Sequence, residues 1–167
     1  MTSQLGPAAG YLAGLRDRLA ADGCEVTSMR WHGHEVVVGM RTDRKARWLG
    51  SRAQLFVHAA AVPSVDDVAL AEFTGWAMTA ARSRIRGRLL NRSAGLVLPA
   101  LISEDVRPSA VTWATADIRT LGFTMTGRPV TVTVTADGPR TDMFRDWVKW
   151  AGSFTGHVLK KAALYFP

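Results

Sequence analysis

The sequence predicts an α/β (α+β) fold: a mixed β-sheet flanked by helices, in the order α-β-β-β-α-β followed by a β-hairpin and a long C-terminal helix. Three observations predict it. Apolar residues recur at three- and four-residue spacing near both ends and in the middle of the chain. Short β-branched runs bounded by glycine or proline stand between them. One of these, Val130, Val132 and Val134 with Thr131, Thr133 and Thr135, alternates strictly. At 167 residues the chain is expected to form a single domain, residues 1–167, with enough apolar surface for a core.

Residues 4–22 read as a helix with Leu5, Ala8, Ala9, Leu12, Leu15 and Leu19 on one side. Asp22-Gly23 stops it, because glycine enters the left-handed conformation that ends helices at little cost. Residues 24–32 and 34–41 read as two strands joined by a tight turn at Gly33, a hairpin. Residues 42–52 follow as a polar, basic connection. Residues 53–62, around Leu55, Phe56 and Val57, are apolar on both faces, as a covered central strand is.

Ser64 is expected to cap the next helix, with Asp66 and Asp67 favourable in its first turn. That helix runs to about Arg84, burying Val65, Val68, Ala69, Phe73, Trp76, Ala77 and Ala80. Residues 95–102 form another buried strand despite Pro99. Residues 108–118 read as a short helix opened by Pro108 or, given their β-branched content, as a strand. Residues 121–126 and 129–136 read as a hairpin about Gly127. Residues 140–165 read as the terminal helix, with Met143, Phe144, Trp147, Val148, Ala151, Phe154, Val158, Leu159 and Ala162 as its apolar stripe.

Composition removes several chemistries. The single cysteine, Cys24, permits no intramolecular disulfide and no cysteine-rich zinc site. It fits a reducing cytoplasm, and the N-terminus does not read as a secretion signal. No apolar run is long enough to span a membrane. Ser64, Ser93 and Ser103 lack a nucleophile-elbow context, and neither a Walker loop nor a dinucleotide-binding glycine motif is present. His32 and His34 flank a turn, with His58 and His157 remote in sequence, so no metal-ligand spacing emerges. Glu104-Asp105 and Glu72 read as surface or border acids.

Charge is the most uneven feature. The net charge is +7, yet residues 41–52 and 82–92 together carry +9 and the rest of the chain −2. The first segment holds Arg41, Arg44, Lys45, Arg47 and Arg52 with Trp48. The second holds Arg82, Arg84, Arg86, Arg88 and Arg92. Guanidinium groups track a phosphate backbone and an indole stacks on bases, so these residues form the expected nucleic-acid site.

The element order α-β-β-β-α-β over residues 4–104 is similar to the core of the restriction-endonuclease-like, or PD-(D/E)XK, nuclease superfamily. That resemblance implies an acid on the second core strand and Glu-x-Lys on the third, holding a divalent metal and activating water. Here the second strand offers Glu35 at its start and Asp43 just past its end. The third reads Gln54-Leu55-Phe56-Val57-His58, with Gln54 at the glutamate position and Phe56 at the lysine position. Asp43-Arg44-Lys45 has suitable letters in the preceding connection. The resemblance therefore implies a nuclease-like body that has lost its catalytic motif.

These readings point to a non-enzymatic basic binding or assembly protein of the cytoplasm, without cofactor or metal, that binds nucleic acid. The alternative is a protein-interaction subunit or homo-oligomer using Trp147, Trp150, Phe154, Tyr165 and Phe166, an apolar face broader than one core needs. A third reading is a metal-dependent nuclease.

Overall fold

The computed structural model describes residues 6–45, 48, 51–85, 93–122, 125–146 and 152–167. Leu12, Leu15 and Leu19 form the buried side of the first helix, α1 (Pro7–Ala21), which opens on Pro7. It ends as Asp22-Gly23 predicts. The Cys24 N–H donates to the Leu19 carbonyl and the Gly23 N–H to that of Ala20, with Gly23 at φ +81°.

The expected hairpin is β1 (Glu25–Trp31) with β2 (His34–Arg44), paired from Glu25↔Met40 to Trp31↔His34. His32 (φ 47°) and Gly33 (φ 80°) make the two-residue turn, both left-handed as this hairpin type requires. β2 runs further than expected because it pairs with β3 (Arg52–Ala61) out to Arg44↔Arg52. The connection expected over 42–52 thus shrinks to 45–51. Asp43 is a strand residue rather than one lying past the strand's end.

β3 continues through α2 (Asp67–Ile85) into the parallel strand β4 (Ser93–Ser103). Asp66, not Ser64, caps α2: its Oδ1 accepts the Ala69 N–H at 2.8 Å. The helix starts late because Val65 first makes a β-bridge with Val106. Val68, expected in the buried stripe, is 59% exposed. The buried side is Leu70, Phe73, Thr74, Ala77, Met78 and Ala81.

Residues 108–118 resolve as helix α3 (Pro108–Ala116), followed by β5 (Arg119–Leu121), β6 (Met125–Gly127), β7 (Val130–Thr135) and β8 (Gly138–Met143). The expected hairpin about Gly127 is not formed. β6 and β7 run in the same direction, each parallel to β4, β6 along Gly95–Val97 and β7 along Ala100–Ser103. Pro99, which has no N–H to give, falls between these two pairings. The hairpins are β5 with β6 and β7 with β8.

The terminal helix is also shorter than expected. Residues 138–143 are strand because Met143, placed on the helical stripe by its spacing, is buried as the partner of Val130. The helix α4 is Gly152–Tyr165.

The sheet order is β1-β2-β3-β4-β6-β5, with β7 on the remaining length of β4 and β8 outside β7. α1 and α4 cover one face, over Val37, Leu55, Val57, Leu98 and Ile102. α2 and α3 cover the other, over Val36, Val38, Ala60 and Leu101, with Phe56 and Val97 beneath the second half of α2. No helix among the described residues is long and apolar enough to cross a membrane.

Candidate functional site

Strand alternation makes a grid of side chains where β2 ends and β3 begins. On the α2 face, Glu25, Met40 and Phe56 form one row, Thr42, Gln54 and Gly95 the next, and Arg44 with Arg52 the outermost. The last turn of α2 stands over this corner, because a helix joining two parallel strands must return to the end where the second begins. Arg84 from that turn joins Glu25, Met40, Thr42, Gln54 and Phe56 around a cleft of about 440 Å³. Arg84 of the second basic segment is thus brought to the end of the α2 face where Arg44 and Arg52 of the first segment lie.

The cleft is lined by Gln54, and two polar side chains on this face carry a buried nitrogen without a partner among the described residues. Gln54 is 6% exposed, and its Nε2 has no hydrogen-bond partner among the described residues. His58, two places further on the same face, is buried edge-on to Trp76 at 5.9 Å, with Nδ1 also unpartnered. Burial pushes the His58 pKa down to about 4, and the Arg84 charge pushes in the same direction.

The opposite face at the same end carries a network. Arg41 grips the Asp43 carboxylate with Nε at 2.9 Å and a second nitrogen at 2.7 Å. It also reaches the Asp22 carboxylate at 2.7 Å and the Asp22 carbonyl. His157 Nε2 lies 2.9 Å from Asp43 Oδ2. Lys161 Nζ and the Tyr165 hydroxyl donate to Asp22 at 2.6 and 2.5 Å, and Cys24 Sγ lies 3.4 Å from that hydroxyl. Burial alone would raise both carboxyl pKa values. The hydrogen bonds and positive charges outweigh it and hold both below the usual range. Burial is also the main cause raising the Tyr165 pKa and lowering that of His157.

Several expected site residues change role. Arg41 faces this network and is engaged by two acids, so it is withdrawn from the nucleic-acid surface. Trp48 is 4% exposed, packed on Phe154 at 4.9 Å and edge-on to His157 at 5.2 Å, so it is core and not a base-stacking platform. Lys45 lies over the Trp48 ring at 5.6 Å. Tyr165 and Phe166 are buried in the α1/α4 core and Phe154 is half-buried against it, so these three side chains pack inward. Arg44, Arg82 and Arg84 are exposed and Arg52 half-buried. Arg47, Arg86, Arg88, Arg92, Trp147 and Trp150 lie outside the described residues.

The nuclease-like ligand positions do not converge. Asp43 faces α4, whereas Gln54 and Phe56 face α2. Glu35 shares the face of Asp43 but lies eight strand residues away, roughly 26 Å, paired with Arg16 at 2.6 Å. Among the described residues no three His, Cys, Asp or Glu side chains are grouped to hold a metal ion. His32 instead approaches Glu72 at 4.0 Å, both exposed.

The α4 network was missed because its partners are remote in sequence. The spacing of His157, Lys161 and Tyr165, four apart on one helical side, was its only local trace. A comparison with protein families, curated proteins and solved structures finds no match to this chain.

Proposed function

We propose that this protein binds nucleic acid, gripping phosphates at the arginine-bearing end of the α2 face. The observation that carries the reading is the cross-strand pair Arg44↔Arg52 beside the cleft that Arg84 borders. Like charges directly opposite on a sheet oppose folding. Polyanionic phosphates relieve that repulsion and release counterions as they bind. The order from α1 to β4, similar to that of restriction-endonuclease-like nucleases, supports the same reading. In this account the chain binds without cutting. Asp43 is held by Arg41 and His157, and the other ligand positions of that superfamily lie on a different face or at a different end.

The test is retention of labelled single- and double-stranded oligonucleotides in a native gel. Arg44→Glu, Arg52→Glu and Arg84→Glu together should abolish it. A control triple, Arg30→Glu, Arg107→Glu and Arg140→Glu, lies towards the other end of the sheet. Each substitution removes two charges, so both triples lower the net charge from +7 to +1. Equal loss in both, or loss in neither, refutes the site.

A further inference from the structure

The cleft between the α2 end and the sheet is more than a charged patch. Its floor changes character over two rows, Thr42 and Gln54 and then Met40 and Phe56 beside the carboxylate of Glu25, with Arg84 at its border and Arg44 and Arg52 one row further out along the strands. A backbone-tracking surface needs only the cations. Glu25 would weaken such a surface, and the buried Gln54 amide nitrogen, without a partner among the described residues, costs folding energy unless a ligand accepts its hydrogen bond. At about 440 Å³ the cleft lies within the roughly 300–1,000 Å³ of small-molecule sites.

We propose that this cleft receives one phosphorylated nucleoside unit, with its phosphate towards Arg44, Arg52 and Arg84 and its base or sugar hydrogen-bonding to Gln54 and Glu25. Gln54 Nε2 donates to an acceptor on the ligand, and the Glu25 carboxylate accepts from an amino or hydroxyl group. Met40 and Phe56 supply the apolar floor for the ring. The inference rests on the nucleic-acid reading and deepens it: the unit is either the phosphorylated end of a strand or a free nucleotide. Both carry the same chemistry.

Titration calorimetry with the four nucleoside 5′-monophosphates, their nucleosides and inorganic phosphate tests the proposal on the full chain. At least one monophosphate should bind tenfold or more tightly than its nucleoside and than inorganic phosphate. Gln54→Leu and Glu25→Gln should each weaken that binding at least fivefold, whereas Arg107→Gln, towards the other end of the sheet, should leave it unchanged. A 5′-phosphorylated oligonucleotide that displaces the monophosphate, where its 5′-hydroxyl counterpart does not, assigns the site to strand ends. Displacement by neither assigns it to free nucleotides. No monophosphate preference, or unchanged affinity in both variants, overturns the proposal even where long oligonucleotides are retained. Loss of long-oligonucleotide retention in the wild type overturns the broader reading instead.

Discussion

His157 on α4 and Asp43 on β2, 114 residues apart in the chain, share a 2.9 Å contact between Nε2 and Oδ2. It belongs to a chain of contacts in which Arg41 links Asp43 to Asp22, and Asp22 holds Lys161 and Tyr165. The last helix is thereby fastened to the sheet and to the end of α1 by charge as well as by Val158, Ala162 and Phe166.

Replacing Asp43 by Asn leaves Arg41 and His157 short of their anion. The expected cost is about 2 kcal/mol at pH 7, below the roughly 3–5 kcal/mol of a fully buried broken pair because this one is partly solvated. The folded pKa of Asp43 is depressed, so its stabilisation is present above the unfolded value near 3.8 and is lost as pH falls through the folded value. Urea unfolding should show the wild-type advantage at pH 7 and its progressive loss as pH falls below the unfolded value near 3.8. An advantage independent of pH would contradict the charge pairing.

His58 titrates in the same sense over a different window. Its folded pKa is about 4 against an ordinary 6.5. The unfolded chain therefore takes up a proton first as pH falls. Its contribution is complete above pH 6.5 and lost towards pH 4, about 3 kcal/mol across the window. His58→Leu should flatten the stability profile there, whatever its effect at pH 7. A profile as steep as that of the wild type would mean that His58 is not buried neutral.

Gln54→Leu removes an unpartnered buried nitrogen at nearly constant volume. Stability should rise by about 1 kcal/mol, seen as a higher melting temperature. A lower melting temperature would show that the amide is satisfied within the fold.

Gly39 is where α1 meets the sheet: a Cβ there would lie 2.9 Å from two carbons of Leu19. Gly39→Ala should cost about 1–3 kcal/mol from overpacking. Adding Leu19→Ala, itself costing about 2–5 kcal/mol, should open the room needed. The double variant should be more stable than the sum of the single effects allows, by at least about 0.5 kcal/mol. Strict additivity would separate the two residues.

Local chemistry made much of this fold legible. Gly23 and Gly33 carry the left-handed angles that their turns demand. The covered β3 and the Leu12, Leu15, Leu19 face followed from periodicity. What failed was pairing. The strand at Gly138–Met143 contains Pro139, Arg140 and Asp142, and is strand only because Val130–Thr135 needs a partner. β6 and β7 share β4 in a way that no local signal encodes. The arginines were equally readable as a surplus of charge, but which were free depended on register. Arg41 points to one face and Arg44 to the other, so three positions separate an internal ion pair from a binding surface.

The salt dependence of oligonucleotide binding tests the central claim most directly. The slope of log Kobs against log salt counts phosphates neutralised, each worth about 0.7 on single strands and 0.9 on duplex. Substituting Arg44, Arg52 and Arg84 by Gln should reduce the slope by about 2–3 while the fold persists. An unchanged slope would place the phosphate contacts elsewhere on the molecule.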